Sequence, residues 1–111
     1  MNHNLDIKAH KNQLLILYKK IDYSLNHKDV INLRNLAEYK DITIKILNEF
    51  KYIQKNKKCF LSITKEVIVI TKTYEKIYNE HKFTRQNYKN LCIEALKSIE
   101  NICIYLNLVD K

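Results

Sequence analysis

The residue types that most often carry out chemistry are dispersed along this sequence. No histidine has a cysteine or a second histidine at the spacing of a metal site; the four are His3, His10, His27 and His81. No pair of carboxylates is placed as a general acid and base, and no serine or cysteine can be matched to a histidine and an acid. We therefore predict that the chain is not an enzyme and has no catalytic residue, no bound metal and no cofactor.

The cysteines do not suit a disulfide framework. Cys59, Cys92 and Cys103 form no CxxC pair and their number is odd, which predicts buried thiols in a reducing compartment. The first residues lack the basic and then apolar pattern of a signal peptide, and no stretch approaches the ~20 apolar residues that span a bilayer. The sequence therefore predicts a cytoplasmic protein with no membrane span.

The amino-acid composition restricts the fold classes that this chain can adopt. Glycine and proline are absent from the 111 residues, which excludes glycine-rich phosphate loops and disfavours a sheet with many turns. The apolar fraction of 46% and charged fraction of 29% are typical of a globular chain. Residues 1–111 are therefore predicted to form a single helical domain.

The net charge of +8 is a weak indication of nucleic-acid binding. Lysine outnumbers arginine 18 to 2, and lysine, isoleucine, asparagine and tyrosine, all with A/T-rich codons, are abundant. The charge is also spread along the chain. A nucleic-acid partner is therefore predicted to be unlikely, although a small basic nucleic-acid-associated helical protein remains an alternative.

Heptad spacing of apolar residues predicts three helices, over residues 5–26, 29–56 and 62–108. A break near residues 26–29 is favoured, although a continuous helix remains open. The first helix has one apolar stripe, formed by Ile7, Leu14, Tyr18, Ile21 and Leu25. The second has two, formed by Leu33, Leu36, Ala37, Ile44 and Leu47 and by Tyr39, Ile42, Ile46, Phe50 and Ile53. Lys40 lies within the first of these, so its stem is predicted to cover apolar surface while its amine reaches solvent or an acid.

The third predicted helix is the longest, because its 4–3 spacing continues from Ile63 to Val109 through His81 and Thr84. Residues 41–46 and 66–71 alternate like strands, but the helical pattern extends further on both sides. The predicted fold is therefore all-α, with three long helices in an antiparallel, coiled-coil-like bundle.

A candidate binding surface lies near the end of the third helix, where a second apolar stripe begins. A helix of about 47 residues spans ~70 Å and overhangs its shorter neighbour from about residue 90. The first helix covers this stripe, or the third helix folds back, or a partner covers it. If a partner does, its amphipathic helix binds along Cys92, Leu96, Ile99, Cys103, Leu106 and Val109.

The order of these segments resembles the FlgN-type flagellar export chaperones, with the FliT type a close second. The resemblance covers about residues 10–105. The residues that carry it are Leu25-Asn26-His27-Lys28-Asp29, Leu33, Leu36, Glu38-Tyr39-Lys40, Leu47, Phe50, Lys57-Lys58 and Asn79-Glu80-His81.

The resemblance implies a cytoplasmic chaperone without enzymatic activity. Such a protein would bind unassembled hook–filament junction subunits and deliver them to the flagellar type III export gate. A third class also remains open, a self-associating coiled-coil adaptor.

Overall fold

The computed structural model describes residues 7–27, 33–50, 57–80 and 84–109. These residues form four helices and no strand: α1 (Ile7–Asn26), α2 (Leu33–Phe50), α3 (Lys57–Asn79) and α4 (Arg85–Val109). The prediction of an all-α chain is confirmed for this part of the chain. Residues 41–46 and 66–71, whose alternation resembles strands, are helical. No helix among the described residues is long and apolar enough to cross a membrane.

The helices are antiparallel to their neighbours. His10 and Glu49 join the start of α1 to the end of α2, and Lys11 and Asn107 join it to the end of α4. Helix α3 packs on α2 and α4, so the four helices surround one core in chain order, with α1 diagonal to α3. This is the up-down-up-down arrangement of four-helix bundles.

The prediction of three helices with the third longest is wrong. Helix α3 ends at Asn79, Glu80 forms a turn, and α4 begins after Thr84. The Thr84 side chain caps α4, because its Oγ1 accepts a hydrogen bond from the Asn87 backbone N–H at 3.1 Å. An N-cap hydroxyl therefore begins a new helix here without glycine or proline. The predicted core position His81 lies outside the described residues.

The predicted face of α1 is confirmed and is wider than its 4–3 stripe. Leu14 and Ile21 are fully buried, as is Leu17 between them. His10 and Ser24 extend this buried face toward the two ends of the helix. Helix α1 ends at Asn26, as the predicted break requires.

Helix α2 buries one face drawn from both predicted stripes. Leu36, Tyr39 and Ile46 are in the core, whereas Ala37 and Ile44 are exposed. A bundle helix meets its core on one side only, so two stripes cannot both be buried. The predicted helix over 29–56 is seen as Leu33–Phe50, and residues 51–56 lie outside the described residues.

Lys40 lies at the edge of the buried face of α2, where its stem borders Leu36 and Ile70. Its Nζ is 3.3 Å from Oε1 of Glu75 on α3. The prediction that the stem covers apolar surface while the amine reaches an acidic group is confirmed.

Candidate functional site

The residues predicted to bind a partner line the interior of the bundle where they are described. Cys92, Ile99 and Leu106 have no exposed surface, and Leu96 and Cys103 are partly buried against the same core. The side chain of Val109 lies outside the described residues.

Two of the three possible covers that the sequence suggests for the second apolar stripe of the third predicted helix together account for this burial. The chain folds back before α4, and α1 packs along α4, as the hydrogen bond from Tyr18 to Glu100 shows. A partner could reach the stripe only if α4 left the bundle. A role of these residues in partner binding therefore stays a prediction.

The described thiols are poorly suited to chemistry. Burial raises the pKa of Cys92, and a hydrogen bond with Tyr88 opposes this only in part. Burial also raises the pKa of Cys103, against the opposing charge of Lys11. Both thiols therefore stay protonated near neutral pH, and the protonated form is a poor nucleophile. Among the residues that the structure describes, no three histidines, cysteines or acids come together as metal ligands.

The candidate binding surface lies instead on the solvent side of α3. We call it the α3 outer face. Its exposed aliphatic residues are Leu61, Ile68 and Val69, and its exposed lysines are Lys58, Lys65, Lys72 and Lys76. The three aliphatic side chains are 58%, 43% and 62% exposed, far more than the core residues of the same helix.

Helix periodicity puts these residues on one face. Lys58, Lys65 and Lys72 are seven residues apart, as are Leu61 and Ile68, and a seven-residue step turns a helix by only about 20° from alignment. Lysines and aliphatic residues therefore alternate along a single line of about four turns. Val69 lies beside this line, on the side toward α4.

The positive charge of the α3 outer face is not neutralised by its neighbours. Its four lysines have no side-chain partner among the described residues. The two nearest acids on α3 are engaged elsewhere: Glu75 is paired with Lys40 at 3.3 Å, and Glu66 accepts a hydrogen bond from Asn101 at 2.7 Å. An acidic ligand would therefore find these lysines available.

A groove between α3 and α4 continues this surface. One stretch has a volume of about 170 Å³ and is lined by Val69, Ile77 and Leu91. The next stretch, of about 340 Å³, shares Val69 with the first and adds Lys65 and Lys97. The groove thus presents aliphatic side chains between charged edges.

The heptad spacing of apolar residues did not predict the α3 outer face, because that spacing follows the buried stripe through Ile63, Val67 and Ile70. The signal was present in the sequence. Lys58, Leu61, Lys65, Ile68 and Lys72 repeat at 3–4–3–4 spacing on the other side of the same helix. The sequence alone does not show which stripe of α3 the other helices cover. It therefore gives no reason to expect that Leu61 or Ile68 is exposed.

Comparison of the chain with protein families, with curated proteins and with solved structures found no match. The likeness to FlgN-type chaperones therefore depends on the quoted residues alone. Two of them mark helix ends, because α1 ends at Asn26 and α3 ends at Asn79. His81 and residues 28–32 lie outside the described residues.

Proposed function

We propose that this chain is a binding protein without enzymatic activity, and that it holds an acidic amphipathic helix of a partner protein on the α3 outer face. The observation that carries the proposal is the line of exposed lysines Lys58, Lys65 and Lys72, without a side-chain partner among the described residues, interleaved with the exposed Leu61 and Ile68. Aliphatic anchors on one helix suit the apolar stripe of another helix, and the lysines suit acids beside that stripe.

The two kinds of side chain have different roles in this proposal. Leu61, Ile68 and Val69 supply apolar surface that the partner helix would bury on binding. Such anchors each contribute ~2 kcal/mol or more where they are central to an interface. The lysines attract the acidic helix and fix its orientation, since charge complementarity acts mainly on association rate and specificity. An exposed lysine pair by itself would contribute less than ~1 kcal/mol.

Charge disfavours a second copy of the chain as the occupant. A symmetric dimer through the α3 outer face would bring the same patch of both chains together. Lys65 and Lys72 would then face lysines of the other copy, and like charges repel. The self-associating adaptor is therefore the weaker candidate for this surface.

The cellular role follows from the sequence resemblance. The partner helix would belong to an unassembled hook–filament junction subunit, which the chain would hold in the cytoplasm. Delivery would then be to the flagellar type III export gate.

The test is a titration with a labelled peptide from the C-terminal segment of a hook–filament junction protein. In an apolar variant, Leu61→Ser and Ile68→Ser are combined, which removes aliphatic surface without changing the charge; its control is Leu15→Ser with Ile16→Ser, which changes two exposed aliphatic residues of α1. We expect the apolar variant to lose roughly tenfold or more in affinity. The control should bind as wild type, and the thermal melts should not change.

A charge variant tests the lysines separately. Lys65→Glu with Lys72→Glu should slow association and remove most of its salt dependence, whereas the matched control Lys45→Glu with Lys89→Glu should not. Equal losses in variant and control would contradict the proposal. Displacement of the peptide by duplex DNA at similar concentration would favour the nucleic-acid alternative if the displacement is lost on adding salt. Phosphate binding collapses with added salt, whereas burial of an apolar helix does not.

A further inference from the structure

The exposed aliphatic residues of the α3 outer face point to two different sides of α3. Leu61, Ile68 and Glu75 are seven residues apart, so they lie on one line of the helix. Glu75 contacts α2, because its Oε1 is 3.3 Å from Lys40 Nζ. The line through Leu61 and Ile68 therefore runs along the α2 side of α3. Val69 lies on the α4 side, where it lines the groove between α3 and α4.

Helix α2 places another exposed aliphatic residue beside this line. Ile44 follows Lys40 by four residues, which is about one turn, and its side chain is 40% exposed. Because α2 and α3 are antiparallel, the step from Lys40 to Ile44 runs in the same direction as the step from Glu75 to Ile68. Ile44 and Ile68 therefore lie within about one turn of each other along the bundle. We call the surface formed by Ile44, Leu61 and Ile68 the α2–α3 seam.

The side chains between these aliphatic residues are uncharged. The neighbours of Ile68 on its inner side, one turn away in each direction, are Thr64 and Thr71, and both are partly buried. Leu47, one turn after Ile44, is partly buried against the core. A helix lying along the α2–α3 seam would therefore place its apolar stripe on aliphatic and threonine side chains.

The two flanks of the α2–α3 seam differ in charge. On the outer side of Ile68, the residues one turn away are Lys65 and Lys72. On the outer side of Ile44, the equivalent residues are Asp41 and Asn48. All four are exposed. An acidic side chain of a partner would therefore be attracted to the α3 flank and repelled by Asp41 on the α2 flank.

We infer, building on the proposed function, that the partner helix lies along the α2–α3 seam, with Ile44 as a further anchor, and is acidic on its α3 flank only. Turning a helix end for end exchanges its two flanks, so this charge pattern also fixes the direction in which the partner helix binds. Val69 would then be at the rim of the interface. It should contribute less to binding than Ile44, although it is more exposed.

The test compares Ile44→Ser with Val69→Ser in the titration with the hook–filament junction peptide. Ile44→Ser should lose roughly fivefold or more in affinity, and Val69→Ser less than about twofold, because central anchors carry most of the binding energy. The exposed fractions, 40% for Ile44 and 62% for Val69, would predict the reverse order. Thermal melts of both variants should match wild type.

A second measurement tests the position of the helix without any substitution. NMR titration of the isotope-labelled full chain with the same peptide should shift resonances of residues 37–48 and 61–72. The resonances of residues 87–101, which include the α4 side of the groove, should not shift. This result would place the peptide on the α2–α3 seam even if Ile44→Ser alters the fold.

Two designed helical peptides test the charge pattern. They share one apolar stripe, and one has acids on a single flank while the other has acids on both. Asp41→Lys should strengthen binding of the second peptide several-fold and change binding of the first little, because it reverses the charge beside Ile44. Asp22→Lys makes the same charge change on α1 and should affect neither peptide.

Four results bear on where the inference fails. If Val69→Ser weakens binding more than Ile44→Ser, or the shifts follow α4, the helix lies in the α3–α4 groove and the inference is wrong while the proposed function stands. If Asp41→Lys affects both designed peptides equally, the charge pattern is wrong. Seam resonances that move with protein concentration alone would assign the seam to a second copy of the chain. If Leu61→Ser with Ile68→Ser binds as wild type, the proposed function itself fails.

Discussion

Tyr39 and Tyr88 bring polar hydroxyls into the core, and each hydroxyl meets a serine from another helix. The Tyr39 hydroxyl is 2.6 Å from Ser98 Oγ, and the Tyr88 hydroxyl is 2.5 Å from Ser24 Oγ. Tyr39 joins α2 to α4 across the diagonal of the bundle. A buried hydroxyl without a partner is costly, so these pairs also restrict how the helices can be arranged.

The Tyr39–Ser98 pair gives a first prediction, on stability. Tyr39→Phe leaves the buried Ser98 hydroxyl without this partner and should cost about 1–2 kcal/mol in the free energy of unfolding, measured by urea denaturation. Ser98→Ala should cost a similar amount. Because both remove one interaction, the double variant should lose less than the sum of the two. Strict additivity would show that the hydrogen bond contributes nothing.

Tyr39 also predicts how stability changes at high pH. Burial raises its pKa above 10.0, and the hydrogen bond with Ser98 opposes this shift. The unfolded tyrosine ionises near pH 10, so the stabilisation is complete below that pH and is lost as the pH rises above it. Urea denaturation between pH 9 and pH 11 should show a steeper fall for wild type than for Tyr39→Phe. Equal slopes would contradict this.

Individual residues differed in how well the sequence predicted them. Lys40 was predictable because a long lysine on an apolar stripe has one low-energy arrangement, with its amine at an acid or in water. His10 was not predictable. It is buried at the start of α1 with Nε2 2.5 Å from Glu49 Oε2, and its partner is 39 positions away along the chain. Local spacing carries no information about such a contact.

At the scale of elements, helix type was predictable and helix number was not. Apolar spacing fixes α1 and the buried stripes of α3 and α4, because a helix has one dominant period. The same 4–3 pattern continues across Glu80 and Thr84, so it cannot show where one helix ends. A continuous third helix overhangs its shorter neighbour, and this overhang is why a partner was one of three possible covers for the stripe through Cys92 and Leu106.

Leu106 tests the packing of α4. Leu106→Asp puts a carboxylate where the wild-type side chain has no exposed surface, which should cost roughly 4 kcal/mol or more in unfolding free energy. Thermal denaturation followed by circular dichroism measures the loss. Ile104→Asp, two positions earlier on the exposed side of α4, is the control and should change the melt little. An unchanged melt for Leu106→Asp would mean that this stripe does not pack in the core.

Shape distinguishes the observed bundle from the predicted one for the molecule as a whole. The Cα atoms extend 45 × 25 × 21 Å, with a radius of gyration of 14.5 Å. A continuous third helix of about 47 residues would be ~70 Å long. Small-angle X-ray scattering of the dilute protein should therefore give a compact particle. A maximum dimension near 70 Å would instead support the continuous helix.

The Thr84 cap has a consequence for how many chains make one bundle. The start of α4 is capped by the Thr84 hydroxyl, and the 4–3 spacing of the sequence continues from Ile77 through His81 and Thr84 to Tyr88. If α3 and α4 joined into one helix, α4 would point away from its own chain. Two chains would then exchange their fourth helices and each would complete the core of the other, which is a domain-swapped dimer.

Thr84→Ala should favour this exchange, because it removes a cap of about 1 kcal/mol and introduces the best helix former. Thr84→Ser keeps the hydroxyl and serves as the control. Size-exclusion chromatography after concentration should show a larger dimer fraction for Thr84→Ala than for Thr84→Ser. Equal fractions at every concentration would contradict this. A larger dimer fraction for Thr84→Ala would mean that the hydroxyl capping α4 decides whether the core is closed within one chain or between two chains.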